Sequence, residues 1–228
     1  MKTGTIMEFL ANLEQNNSME WMKKNKNSYL EAKAIFADLI QELLLRSSWF
    51  DSTIPNLSAS DLTFKLNRDT RFSKDKSPYR PAFRAHIAPK GKIPIPVGYY
   101  VYIAPNNRSF LGGGLFASMF KDATAVVRDY ITEHGEEFEE VVASTEFSKL
   151  FTVKGEALSN VPTGYDANHP QAIYLKNKSW YLEYSVSDNL VLDSDMFVCE
   201  AVNIFAQMRP FNDLLNRALQ DFKVPERK

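Results

Sequence analysis

The first 50 residues have a pattern of apolar positions that is typical of amphipathic helices. Apolar residues recur there at intervals of three and four, which places them on one helix face. The pattern predicts a longer helix over residues 27–46, and Ser18 can cap a short helix before it. The part from about residue 5 to 50 is therefore predicted to be helical. The first apolar stripe consists of Ile6, Phe9, Leu10 and Leu13.

In the middle of the chain the period changes from 3.6 to 2, which indicates half-buried β-strands. One run is apolar and aromatic throughout, which predicts a more central strand. Asn106 and Asn107 suit a hairpin turn after this run, because asparagine tolerates left-handed backbone conformations. The strands are predicted at residues 62–67, 82–88, 97–104, 108–112 and 179–187.

Helices return in the last half of the chain. The apolar stripes predict helices over residues 118–133 and 195–220, and Pro210 is expected to break or restart the second of these. The first part of that helix is apolar almost all round, so we expect it to be buried. Its single cysteine, Cys199, is then expected to be a small buried hydrophobe and not a nucleophile.

The order of the elements predicts an α+β fold. Strands do not alternate regularly with helices, which argues against a doubly wound parallel sheet. We expect one domain over residues 1–228, with a mainly antiparallel sheet covered by N-terminal, middle and C-terminal helices. Its strand-rich part is predicted at about residues 60–115, and a helical and mixed part follows over residues 118–228.

The composition excludes several classes of protein. With 44% hydrophobic and 24% charged residues, the chain resembles an ordinary globular protein and not a disordered or collagen-like one. One cysteine permits no intrachain disulfide and no multi-cysteine zinc site. Because the sequence has neither a signal-peptide pattern nor a membrane-length apolar run, we expect a cytoplasmic protein without a membrane partner. Nucleotide-binding, zinc-protease and nucleophile-elbow motifs are absent from the sequence, so we predict no metal and no cofactor.

Residues 65–92 form a basic segment. The segment has nine Lys or Arg residues against Asp69 and Asp75, whereas the whole chain has a net charge of −1. We expect its core, RDTRFSKDK, to bind an anion, because Arg grips a phosphate or carboxylate through two hydrogen bonds and Lys adds a point charge. One alternative is an exposed basic loop that balances the acidic residues 133–146, and another is that the two aspartates neutralise basic groups internally. The predicted binding residues are Arg68, Arg71, Lys74, Lys76 and Tyr79.

Three consecutive glycines, Gly112, Gly113 and Gly114, lie between a predicted strand and a predicted helix. Glycine lets the backbone approach a ligand closely, and a helix N-terminus favours anions. We therefore predict that these glycines form a loop that completes the anion site. The alternative is a bend where the strand leaves the sheet.

The residues available for acid–base catalysis are Asp69, Asp75 and His169. Histidine titrates near neutral pH and can act as an acid or a base. The alternative for His169 is a cap or turn residue that is hydrogen-bonded to the backbone. No triad, metal set or cofactor motif indicates a reaction class.

Four segments carry a family resemblance. They are NNSMEWMKKNKNSY at 16–29, RDTRFSKDKSPYR at 68–80, YYVYIAPNNRSFLGGGLF at 99–116 and VPTGYDANHP at 161–170. Together they resemble the family called domain of unknown function 2461 over nearly the whole chain, and this resemblance implies no particular activity. The matching motif positions are Arg68, Asp69, Arg71, Phe72, Ser73, Lys74, Asp75, Lys76, Pro78, Tyr79, Gly112, Gly113, Gly114, Pro162, Gly164, His169 and Pro170.

Three functions remain open at this point. The first is binding of a small anionic ligand, or of nucleic acid; the net charge of −1 disfavours duplex DNA, whose binding needs many phosphate contacts. The second is an enzyme that uses Asp69, Asp75 or His169 with an Arg or Lys clamp. The third is an assembly protein whose basic face pairs with an acidic one; residues 133–146 contain six glutamates and no Lys or Arg.

Overall fold

The structure, a computed structural model, describes residues 1–54, 57–116 and 120–224. Within these ranges the chain forms ten helices and one four-stranded antiparallel sheet, which confirms a single α+β domain. The helices are α1 (Thr3–Gln15), α2 (Met19–Lys24), α3 (Lys26–Ser47), α4 (Ala59–Leu62), α5 (Lys121–Glu133), α6 (Gly135–Val142), α7 (Thr145–Leu150), α8 (Ala172–Leu175), α9 (Asp188–Leu192) and α10 (Ser194–Ala218). The strands are β1 (Phe83–Ile87), β2 (Gly98–Ile103), β3 (Ser109–Leu115) and β4 (Trp180–Val186).

The strands follow one another in the sheet in the order β1-β2-β3-β4. The turn between β2 and β3 contains Asn106 and Asn107, whose φ angles of 66° and 55° are left-handed, as the sequence predicts. Short extended segments also pair with both edge strands. Thr63 bridges to Ala85 of β1, and residue 154 exchanges two backbone hydrogen bonds with β4.

One face of the sheet, here called the core face, packs against α3 and α10. The ring of Phe36 in α3 stacks on Phe83 of β1, with 5.1 Å between the ring centroids. The Tyr99 ring of β2 lies 4.9 Å from that of Phe205 in α10. Burial of these large apolar groups supplies the main driving force for folding. The opposite face of the sheet is called the outer face below.

The strand predicted at residues 62–67 is wrong as a regular strand. A capping box, in which Ser58 and Asp61 exchange hydrogen bonds, begins α4. The helix ends at Leu62, so the first residue of the predicted strand is helical. The following residues are extended but form only isolated bridges. Pro78 and Pro81, in the segment that runs beside them, lack an N–H group, so a continuous ladder cannot form.

The last helix also differs from its prediction. Pro210 neither breaks nor restarts α10, which is continuous through it. The proline lies on the exposed face of the helix, while the neighbouring Met208 and Phe211 are fully buried and hold the helix to the sheet. The first part of this helix is not buried all round, since Met196 and Cys199 are both exposed. For the helix predicted from residue 118, the structure gives α5, and the predicted start lies outside the described residues.

Candidate anion-binding site

The RDTRFSKDK motif lies in a projecting hairpin, residues 66–80, here called the basic arm. The Arg68 N–H donates to the Pro78 carbonyl oxygen over 2.9 Å, which holds the two sides together. The Asn17 side chain ties the arm to the N-terminal helices: its Nδ2 donates to the Tyr79 carbonyl oxygen and its Oδ1 accepts from the Tyr79 N–H. The arm is therefore a fixed structure with a mostly exposed tip.

Both of the predicted anion-binding arginines already have carboxylate partners. Arg68 pairs with Asp75, and its side chain is 23% exposed. Arg71 forms a two-point ion pair with Asp69, with 2.6 Å between Nη2 and Oδ2 and 3.0 Å between Nε and Oδ1. The alternative stated from the sequence, internal neutralisation by the two aspartates, therefore describes both arginines in this structure.

The two lysines and the phenylalanine at the tip of the arm face solvent. Lys76 Nζ donates to the Thr70 carbonyl oxygen over 2.9 Å, whereas Lys74 forms no hydrogen bond or ion pair with any described residue. Phe72 is 96% exposed, and the Arg71 guanidinium lies 5.8 Å from its ring centre. Tyr79 is half-buried and lines an open groove of about 640 Å³ between the arm and α2.

The candidate acid–base residues are engaged in structural contacts. Hydrogen bonds from their arginine partners lower the pKa of Asp69 and the pKa of Asp75, so neither carboxyl carries a proton near neutral pH. His169 Nδ1 accepts a hydrogen bond from the Gln171 N–H over 3.1 Å in the turn before α8. This contact is the turn role that the sequence offered as the alternative for His169.

A cleft of about 190 Å³, here called the lysine cleft, lies between α3, α4 and the edge of the sheet. Lys33, Lys65 and Lys92 line it from three separate segments, and none of its described lining residues is an Asp or Glu. Lys92 Nζ donates to the Ser60 carbonyl oxygen over 3.1 Å, which holds this side chain at the cleft. Sequence reasoning missed Lys33 because nothing in α3 connects it with the basic segment.

The basic segment has few internal partners. Of its nine basic side chains, seven form no ion pair with any residue in the described ranges. Like charges repel by roughly 1 kcal/mol per close pair in water and by more where solvent is excluded. Most of the positive charge of the segment is therefore not balanced by ion pairs with described carboxylates.

The three glycines do not form a loop, and that prediction is wrong. Gly112, Gly113 and Gly114 lie inside β3, where they are paired with β2 on one side and with β4 on the other. Their backbone groups thus take part in the pairing of the strands. A Cβ at Gly112 would lie 2.8 Å from the ring of Phe116, and a Cβ at Gly113 would lie 3.1 Å from the Met208 sulfur. The glycines are needed for close packing on both faces of the sheet.

The outer face carries six aromatic rings, here called the aromatic layer. Within it the rings of Tyr102 and Phe110 stack with centroids 4.8 Å apart, and those of Phe116 and Tyr181 with centroids 4.6 Å apart. All six side chains are half-buried. In the described part of the chain, none of them is part of the buried hydrophobic core or packs against it. The layer consists of Phe64, Tyr100, Tyr102, Phe110, Phe116 and Tyr181.

Arg84 of β1 lies at the border of this layer. Its guanidinium carbon is 5.2 Å from the centre of the Phe64 ring, and its Nη2 donates to the Lys65 carbonyl oxygen over 3.2 Å. Its Nε is buried and has no hydrogen-bond partner among the described residues. Burial raises the pKa of Tyr100, and the nearby guanidinium groups of Arg84 and Arg80 partly oppose this rise.

The described residues contain neither a cluster of metal ligands nor a helix that could span a membrane. Among the described residues, no group of three or more His, Cys, Asp or Glu side chains could hold a metal ion. In the same ranges, no helix combines the length and the apolar character that crossing a membrane requires.

Comparisons with known proteins give one match. The family model described as "Conserved hypothetical protein (DUF2461)" matches residues 5–214. Neither the curated proteins nor the solved structures contain a match to the chain. The matched residues include the basic arm, the lysine cleft and the aromatic layer. The chain belongs to the DUF2461 family, which its motifs resemble.

Proposed function

We propose that the protein binds an anionic ligand with a phosphate or carboxylate group, which lies in the lysine cleft. The observation that carries this proposal is the convergence of Lys33, Lys65 and Lys92 on one cleft whose described lining has no carboxylate. Ammonium groups that line one cleft repel one another, and an anion bound between them would be attracted to each of them.

The basic arm contributes beside the cleft in this proposal. Lys74 and Lys76 offer cations that have no carboxylate partner among the described residues, so they can meet a ligand that extends beyond the cleft. Arg68 and Arg71 act through their ion pairs, which give the arm its shape. The glycines of β3 are not part of the proposed site. Removing lysines of the cleft should therefore weaken binding more than removing arginines of the arm.

The test is binding of pyrophosphate by the full chain, measured by calorimetry and by thermal unfolding. The double variant Lys65→Ala/Lys92→Ala should bind at least about tenfold more weakly, because hydrogen bonds from charged groups contribute about 1.5–3 kcal/mol each. The matched control is Lys2→Ala/Lys149→Ala, which removes two exposed lysines from outside the basic segment. The control should bind like the wild type.

Two results would contradict the proposal. One is a wild-type protein whose unfolding temperature and calorimetric signal do not respond to pyrophosphate at low ionic strength. The other is equal loss of affinity in the cleft variant and in the control variant, since that would indicate a general effect of net charge.

A further inference from the structure

The aromatic layer and the lysine cleft meet at one residue. Phe64 lines the cleft, and its ring also lies 6.2 Å from that of Tyr100 in the layer. A site for an anion and a surface of stacked rings are therefore contiguous. The geometry points to a single-stranded nucleic acid as the ligand, with its phosphates at the basic segment and its bases on the aromatic layer. This inference rests on the proposed function and specifies its ligand.

The rings form a connected surface and not separate pairs. From Tyr100 the layer continues to Phe110, 6.0 Å away between centroids, and to Phe116, 5.4 Å away. These two rings contact Tyr102 and Tyr181 in turn. The layer thus spans three neighbouring strands, and its centroid spacings of 4.6–6.2 Å lie within the range of favourable aromatic contacts.

Stabilisation of the sheet alone does not account for this arrangement. Cross-strand aromatic pairs do stabilise sheets, and the pair Tyr102–Phe110 is one of them. Phe64 and Phe116, however, lie outside the four strands, and their rings still join the outer face. Gly112 provides the space for the Phe116 ring. The described part of the chain therefore adds rings to a face that its core helices do not cover.

The charge around the layer suits a polyanion. Arg84 shares the outer face with the rings, and Arg80 lies close enough to influence Tyr100. Glu183, an acidic residue on the same face, is paired with Lys154 at 2.7 Å between Oε2 and Nζ. A phosphate backbone that runs from the lysine cleft along β1 would thus meet cations, while a neutral sugar chain would gain nothing from them.

A single strand fits this surface better than a duplex does. Flat rings beside a basic groove are the general means of binding single strands, because every base has a π-face and every nucleotide a phosphate. Duplex bases are stacked on one another and cannot lie on the layer. The inference therefore covers single-stranded DNA and RNA, which share this chemistry, and the experiment below tests both.

The experiment measures fluorescence anisotropy of labelled oligonucleotides of about 15 nucleotides, within the range of known single-strand sites. Oligo-dT, oligo-rU and a duplex of equal length are titrated with the full chain. The variant Tyr102→Leu/Phe110→Leu should bind the single strands at least about tenfold more weakly, since it removes two rings on which bases would stack. The control Trp49→Leu removes a ring that is 91% exposed and outside the layer, and it should bind normally.

A second variant covers the case in which the double leucine variant does not fold. Arg84→Gln keeps a polar side chain beside Phe64 but removes the charge, so single-strand affinity and its salt dependence should both fall. The slope of log affinity against log salt concentration should become less steep by about 0.7 for each phosphate contact that is lost.

The outcomes separate this inference from the proposed function. The inference is supported if oligo-dT, oligo-rU or both bind more tightly than the duplex and if the layer variant, Tyr102→Leu/Phe110→Leu, loses this binding. The oligonucleotide that binds then shows whether the ligand is single-stranded DNA, RNA or either. No oligonucleotide binding, or equal binding by wild type and layer variant, overturns it. If pyrophosphate binding to the lysine cleft persists in that case, the proposed function stands alone; if pyrophosphate binding is also absent, both fail.

Discussion

The two faces of the sheet are built from the same four strands but differ in what they contact. On the core face, Tyr99, Val101 and Leu111 are almost completely buried against α3 and α10. On the outer face, the neighbouring Tyr100 and Phe110 keep part of their rings in contact with solvent. Both faces are rich in apolar atoms, so composition alone does not distinguish them.

The difference shows how one strand can contribute to a buried core and to a partly exposed surface at once. Side chains alternate between faces along a strand, so each residue that stabilises the core is followed by one that is free for another role. In this protein the core face is covered by helices, while the outer face is covered in the described ranges mainly by its own rings. The following predictions test that division, from the largest expected effect to the smallest.

The largest effect is expected from substituting neighbours on β3. Leu111→Ala should lower the free energy of unfolding by about 2–5 kcal/mol, because it leaves a cavity in the core. Phe110→Ala should lower it by about 1 kcal/mol or less, the size of a cross-strand pair contribution. Urea unfolding of the two variants measures the difference. Equal losses would show that the outer face also belongs to the core.

His86 lies on the outer face but, unlike the aromatic rings there, it is buried. Its side chain is 6% exposed, its Nδ1 lies 3.0 Å from the Gly91 carbonyl oxygen, and burial lowers its pKa to about 4. The unfolded chain then binds more protons than the native one between about pH 4 and 6.5, so stability is full above pH 6.5 and falls as the pH drops.

For His86 this fall should amount to about 2–3 kcal/mol between pH 6.5 and pH 4.5. His86→Gln should not show this component, although the titration of carboxyl groups affects both proteins alike. Denaturant unfolding at several pH values measures the difference between them. Parallel pH profiles for wild type and variant would show that His86 is accessible to protons in the native state.

The tyrosine hydroxyls of the two faces should respond differently. Tyr99 donates to Asp51 Oδ2 over 2.8 Å, and Asp51 is only 6% exposed. Tyr99→Phe leaves part of this buried carboxylate without its partner and should cost about 1–3 kcal/mol. Tyr102→Phe on the outer face should cost less than about 0.5 kcal/mol. Thermal unfolding distinguishes these values, and similar costs would contradict the assignment of the two faces.

The smallest effects are expected in the basic arm. Arg71→Ala breaks an ion pair in which the side chains are 77% and 58% exposed, and such pairs contribute less than about 1 kcal/mol. Lys74→Ala should change the unfolding temperature even less, because no contact of Lys74 within the described ranges is lost. If either variant unfolds the protein, the arm is part of a structural ion-pair network.

Periodicity predicted most of the fold because each face of an element has its own solvent environment. Alternation located β1, β2 and β4 to within one or two residues. It failed at residues 62–67, where a capping box and two prolines override the local pattern. It also ended β3 too early, because glycines carry no hydrophobic signal even when, as at Gly113, they pack directly against a helix.

The candidate site was only partly predictable. The charge of the basic segment and the alternative of internal ion pairs could both be read from the sequence. The third lysine of the cleft, Lys33, could not, since α3 brings it there through tertiary packing. The aromatic layer did have a signal: Tyr100 and Tyr102 alternate with core residues on one strand. Only the register of the neighbouring strands shows that their rings join others.

The bridges at the two sheet edges also bear on how the protein avoids self-association. Open strand edges are templates for edge-to-edge aggregation, and native proteins commonly block them. Here Thr63 bridges to β1, with two prolines nearby, and Lys154 bridges to β4 and contributes a charge. A second copy or an extended peptide therefore meets edges that are already occupied in the described part of the chain. The aromatic layer can therefore remain partly exposed on the sheet while these contacts oppose pairing of a further strand at either edge.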